Sequence, residues 1–175
     1  IKQRFILQKK NKNIFPLYKK CIDVILKLQK IKPVAKIKIK PKKYLKLSNY
    51  NLGNLNKESD LFLNWYLPGI LGKKKSRKFK KIIKSELNKL YKKIYFKNNY
   101  IVHRDFHVSN VMVTKNKLGI IDTQDAILGN PMYDVASLID DVRIKLPINL
   151  QKKCNSFHEH NEEKISDKII NLILL

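Results

Sequence analysis

The sequence predicts an α+β fold, mostly helical, in which a small β-hairpin carries the chemistry-bearing loops. Two observations predict it. Apolar residues recur at helical spacing over Phe15–Gln29 and again over Phe79–Ile94. Short β-branched runs cluster between Tyr100 and Ile121, where the period changes. The uncharged stretch Leu61–Gly72 is too short to cross a bilayer and contains Pro68, so no membrane span is expected.

Arg4–Leu7 reads as the end of a strand. Phe15, Tyr18, Ile22, Ile25, Leu26 and Gln29 then define a helix, with Pro16 in the first turn, where its missing N–H is not needed. Pro33 and Pro41 bound a lysine-rich surface loop reaching to about Lys57. Glu58–Leu67 predicts a short helix ended by Pro68-Gly69. Its apolar face is Leu61, Phe62, Trp65 and Tyr66, and that spacing makes Phe62 and Trp65 core residues before sugar-stacking ones. Ser76 is the expected N-cap of the next helix, whose stripe is Phe79, Ile82, Ile83, Leu87, Leu90, Tyr91 and Ile94.

Tyr100-Ile101-Val102 predicts a strand. Val111-Met112-Val113 and Leu118-Gly119-Ile120-Ile121 flank Lys115-Asn116-Lys117 as a hairpin. Tyr133–Val142 should be helical with Val135, Leu138, Ile139 and Val142 inward, and a last helix should run from Glu162 to Leu175.

The composition narrows the function classes. A chain that is 43% hydrophobic can bury a core, so disorder throughout is not expected. The formal net charge of +24 would attract polyanions. Its lysines are dispersed, however, and no aromatic residues alternate with them as a stacking platform requires. Solvated helix faces are the better reading, and nucleic acid is not the expected partner, although a basic binding module stays open as an alternative. Cys21 and Cys154 lack a C-x-x-C partner, so neither a disulfide framework nor a zinc site is implied, and Cys21 reads as a core side chain. His158 and His160, with Glu159 and Glu162, lack a matching ligand set. With no secretory signal, the default compartment is cytoplasmic.

One segment carries chemistry. In His103-Arg104-Asp105-Phe106-His107-Val108-Ser109-Asn110 an aspartate stands five residues before an asparagine, just after a short apolar strand. Asp122 ends another strand across the hairpin. Phosphoryl transfer asks for positioning and charge neutralisation more than covalent chemistry. One carboxylate must orient the substrate hydroxyl, while an amide oxygen and a second carboxylate hold hard divalent cations against nucleotide phosphates. An Asp, an Asn and an Asp beyond a hairpin supply those parts. His103 reads as a loop-bracing hydrogen-bonder, and Asp134 as a structural carboxylate bonding the loop backbone.

His103–Asn110 followed by Ile121-Asp122 resembles the catalytic and metal-binding segments of the aminoglycoside phosphotransferase and choline kinase superfamily, whose members share the protein-kinase-like fold. The resemblance is closer to the bacterial cell-wall amino-sugar kinases, which phosphorylate the anomeric hydroxyl of N-acetylmuramate or N-acetylglucosamine. It rests on His103–His107, Asn110–Val113, Gly119–Ala126 and Gly129–Leu138, with Glu58, Leu61, Phe62 and Trp65 upstream. It implies a kinase-like C-terminal lobe over residues 1–175, with a catalytic core at about 58–142. Asp105 is then the catalytic base, and Asn110 and Asp122 are the ligands of Mg2+ and, through it, of ATP. His107, Gln124 and Asp125 are weaker candidates for sugar contacts or loop bracing. The implied role is a cytoplasmic amino-sugar kinase of peptidoglycan recycling. The alternatives are a small-alcohol or aminoglycoside kinase of the same superfamily.

Two residues depart from the pattern: Thr123 replaces an aromatic residue, and Asp140 stands where a basic residue is usual. In the resembled family a nucleotide-covering lobe precedes the segment corresponding to residue 1. No glycine-rich turn or strand lysine stands out here, so the expectation is a C-terminal lobe without its partner lobe.

Overall fold

A computed structural model describes residues 14–33, 36–94, 96, 98–113 and 117–173, with the side chains of the last helix described as far as Glu162. The strand expected at Arg4–Leu7 lies outside the described residues. The described residues form two compact units, one drawn from Ile1–Ser48 and Asn98–Leu175, the other from Asn49–Lys97. The α+β class holds: among the described residues helices dominate, and the strands form three separate antiparallel pairs.

In the first unit, helix α1 spans Phe15–Gln29 as its periodicity predicts, with Tyr18, Cys21, Ile22 and Ile25 fully buried. Strands β1 (Ile37–Lys40) and β2 (Lys43–Leu45) pair with each other, so the region read as a loop contains a hairpin. Its signal is the alternation Ile37-Lys38-Ile39-Lys40, a period of two that the lysine content obscured.

Helix α4 covers Met132–Ile139 and stops earlier than expected. Asp140 leaves helical geometry at φ −109, ψ 32, and Val142, expected inward, is 96% exposed. Helix α5 spans Ile148–Ile173 and begins well before Glu162, because Pro147 opens it by accepting the Leu150 and Gln151 N–H groups. The core of this unit joins α1, α4 and α5 to the segment holding Phe106, Val108 and Val111.

Gln29 ties three parts of this unit together. Its Nε2 donates to the Pro131 carbonyl at 2.7 Å, and its Oε1 lies 3.1 Å from His158 Nε2. His158 therefore carries its proton on Nε2 and serves the core. Burial pushes its imidazole below the ordinary value, against the opposing pull of Glu162 and Glu159. The unfolded chain takes up a proton near the usual 6.5 that the folded form resists, so this contribution to stability is complete above that pH and lost as pH falls. Urea unfolding should give a lower midpoint at about pH 5.5 than at about pH 7.5, and His158→Gln should flatten the difference.

The second unit is a run of helix: α2 (Leu52–Leu61), a π-helical turn (Phe62–Tyr66) and α3 (Leu67–Tyr91). Asn51 begins it with a capping box, its side chain and that of Asn54 each accepting the other's backbone N–H. Three expectations are corrected here. The helix starts before Glu58, and Pro68-Gly69 does not end it, because Pro68 falls in the first turn of α3, where proline is tolerated. The real break is Gly72 at φ 74, ψ 157, so Ser76 is no N-cap; it sits inside the helix with Oγ donating to the Lys73 carbonyl at 3.0 Å.

Leu61, Phe62, Trp65 and Tyr66 are exposed, and the inward residues are Leu63 and Leu67. The wider π-turn rotates the face that uniform helical spacing would bury. The stripe of α3 is likewise open at Phe79, Ile82 and Leu90. Nothing lies within 4 Å of a Cβ placed on Gly72, so Gly72→Ala meets no clash and is opposed by backbone conformation alone. It should lower unfolding stability by roughly 1–3 kcal/mol, read by chemical denaturation.

Candidate functional site

The loop His103–Asn110 leaves strand β3 (Tyr100–Val102), which pairs with β6 (Ile127–Gly129). Its first turn is held from beneath. Asp134 on α4 is fully buried, and its two oxygens accept the N–H groups of His103 (2.7 Å) and Arg104 (2.9 Å). Arg104 is thereby kept at φ 74, a left-handed conformation that a long side chain seldom adopts. Burial pushes the Asp134 carboxyl up from its ordinary value, while the two backbone donors pull it down. Because both oxygens accept, the ionised form is the one this geometry serves.

The loop then turns Asp105 toward its own neighbours. Asn110 donates Nδ2 to Asp105 Oδ2 at 2.7 Å and to the Asp105 carbonyl at 2.9 Å. His107 Nε2 lies 2.9 Å from the other oxygen, Oδ1. Asn110 is buried, whereas the Asp105 side chain is 46% exposed, so the carboxylate remains open to a ligand. With its amide nitrogen committed to Asp105, the Asn110 group left for a cation is the oxygen, Oδ1.

Strands β4 (Val111–Val113) and β5 (Leu118–Ile120) form the expected hairpin, although residues 114–116 lie outside the described set. The hairpin delivers Asp122. Ile121 N–H donates to the Asn110 carbonyl at 3.1 Å, and His103 Nε2 lies 3.1 Å from the Ile121 carbonyl. A ring nitrogen facing a carbonyl must donate, which places the His103 proton on Nε2. Its Nδ1 is buried without a hydrogen-bond partner among the described residues. Asp122, next in the chain, is exposed at φ 65, ψ 51. A non-glycine residue held in this region is the kind of local strain that recurs at functional sites.

Asp105, His107 and Asn110 thus meet through side chains, and Asp122 directly follows Ile121, whose N–H bonds the Asn110 carbonyl. Gln124 and Asp125 lie in the short 3-10 turn Thr123–Asp125 and are exposed. His158 is committed to Gln29, and among the described residues no group of three or more His, Cys, Asp or Glu side chains is placed to hold a metal.

One supporting residue escaped the sequence reading. Asp141 is buried, and its Oδ2 accepts the Val108 N–H at 3.3 Å. Its Oδ1 accepts the Arg143 backbone N–H (2.9 Å) and Nη1 (3.1 Å). Helical spacing could not have found it, because α4 ends at Ile139 and Asp141 lies beyond it.

A model of the phosphotransferase enzyme family matches residues 17–153, from α1 into α5. The chain belongs to that family. It is similar to the N-acetylmuramate/N-acetylglucosamine kinase of Neisseria meningitidis serogroup B, with 31% identity over 99 residues, 57% of this chain and 30% of that protein. The enzyme of the same name from Pseudomonas aeruginosa is 28% identical over 135 residues, 77% of this chain and 37% of that protein. The one from Pseudomonas putida is 28% identical over 131 residues, 75% and 36%. The chain spans about a third of the length of the curated relatives it matches. No helix among the described residues is long and apolar enough to cross a membrane.

Proposed function

We propose that this chain is the catalytic, kinase-like C-terminal lobe of an ATP-dependent amino-sugar kinase, with its catalytic core at about residues 58–142. The observation that carries the proposal is the bond from Asn110 to Asp105, together with the Ile121–Asn110 backbone bond one residue before Asp122. The names of the relatives support an amino sugar as acceptor.

In this reading Asp105 accepts the hydrogen bond of the sugar hydroxyl and aims the oxygen's lone pair at the terminal phosphorus of ATP. As the new O–P bond forms and the bond to the leaving diphosphate breaks, Asp105 takes the hydroxyl proton. Asn110 Oδ1 and the Asp122 carboxylate would hold Mg2+. Two hard oxygen donors suit an ion that takes its remaining ligands from phosphates and water, and no competing cage of His, Cys or acidic side chains occurs among the described residues. An ion held by these two residues would supply neutralisation of the phosphate charge that otherwise repels the nucleophile. Gln124 and Asp125, exposed beyond Asp122, are the proposed sugar contacts on that side.

The test is a panel of acceptors with Mg-ATP, covering N-acetylglucosamine, N-acetylmuramate, choline, homoserine and an aminoglycoside. An amino sugar should lead the panel by about tenfold or more in kcat/KM. Preference for choline, homoserine or the aminoglycoside, or transfer to none of them, would overturn the assignment.

A further inference from the structure

We infer that His107 is a positioning residue for phosphoryl transfer, which holds the Asp105 carboxylate in its reactive orientation through its Nε2–H. The inference rests on the kinase reading above and adds a role in that reaction.

The two ring nitrogens of His107 have different partners. His107 Nδ1 accepts the Ser109 backbone N–H at 3.3 Å, so this nitrogen carries no proton. The proton is then on Nε2, and Nε2 lies 2.9 Å from Asp105 Oδ1. The ring is largely enclosed, its side chain 13% exposed against 46% for Asp105, and so has little freedom to turn away. Its 3.5 Å approach to Asn110 Nδ2 sets two donors face to face and is no bond in this tautomer.

Asp105 is therefore gripped on both oxygens, by Asn110 Nδ2 on Oδ2 and by His107 Nε2–H on Oδ1. Each carboxylate oxygen has a second lone pair, and these are what an incoming hydroxyl can use. Without His107 the carboxylate would keep one tether and could rotate about it. Reacting atoms must be aligned to within fractions of an ångström, so that freedom acts on the chemical step more than on binding. Ser109 contributes its main-chain N–H to this grip.

The experiment has two arms, both on the protein as it exists. In the first, steady-state kinetics with Mg-ATP and N-acetylglucosamine compare wild type with His107→Leu, His107→Gln and His107→Asn. His107→Leu should lower kcat by about 10–100-fold, with the sugar KM changed less than about threefold. Glutamine places an N–H near the position of Nε2 and should recover most of kcat. The shorter asparagine, which mimics Nδ1, should not. A His107→Leu enzyme with normal kcat, or a glutamine variant no better than the leucine one, would overturn the inference while leaving the kinase reading intact.

The second arm is independent of turnover. Long-range 15N–1H NMR of the His107 ring should show a neutral imidazole protonated on Nε2. A ring protonated on Nδ1 would overturn the inference whatever the kinetics show. Wild type that transfers phosphate to no sugar would instead count against the kinase reading.

Discussion

Asp105→Asn should lower turnover by about 10²–10⁴-fold while leaving the fold intact. Two effects combine. The amide cannot take the hydroxyl proton, and it offers only one acceptor oxygen to two donors, Asn110 Nδ2 and His107 Nε2. Whichever way the amide turns, one donor meets an N–H, so the loop loses alignment together with its base. Asp105 is close to half exposed, and Asn110 Nδ2 keeps its bond to the Asp105 main-chain carbonyl, so the cost in stability is small. Thermal unfolding should shift by no more than about 2–4 °C, the change that a loss of roughly 1 kcal/mol produces. A variant that folds and turns over normally would remove Asp105 from the mechanism.

Asp134→Ala should have the largest effect on stability. It leaves the His103 and Arg104 N–H groups without their acceptor beneath the loop. Unsatisfied buried donors cost about 1–3 kcal/mol each, and the cavity adds to this, so a loss of roughly 3 kcal/mol or more is expected. Denaturant unfolding measures it. Asp134→Asn keeps one acceptor and should fall between the alanine variant and wild type. Because Asp134 also sustains the left-handed Arg104, activity should fall in the alanine variant even at temperatures where it stays folded.

The local geometry of the proposed site was legible in the sequence because its parts lie close together along the chain. Asp105 and Asn110 lie one loop apart, and the hairpin from Val111 to Ile120 brings Asp122 back by strand pairing alone. Helix α1 was equally legible, because its apolar stripe matches its buried face. What the sequence concealed depends on tertiary context. The π-turn at Phe62–Tyr66 inserts extra backbone into a helical pattern, and no composition rule predicts which residues then face inward. The early end of α4 at Ile139 turns Asp141 into the brace and leaves Asp140 exposed, a choice set by packing. The hairpin of β1 and β2 was hidden because lysine normally marks a solvated loop.

The central claim is that Asp105, Asn110 and Asp122 form one phosphotransfer site. Manganese tests it most directly, replacing Mg2+ and broadening the NMR signals of nearby nuclei. With Mn2+ and ATP added, the backbone amides of the 103–110 loop and of Ile120–Thr123 should broaden first, and Asp122→Ala should abolish the effect. Broadening that spares both segments, or that survives Asp122→Ala unchanged, would contradict the account.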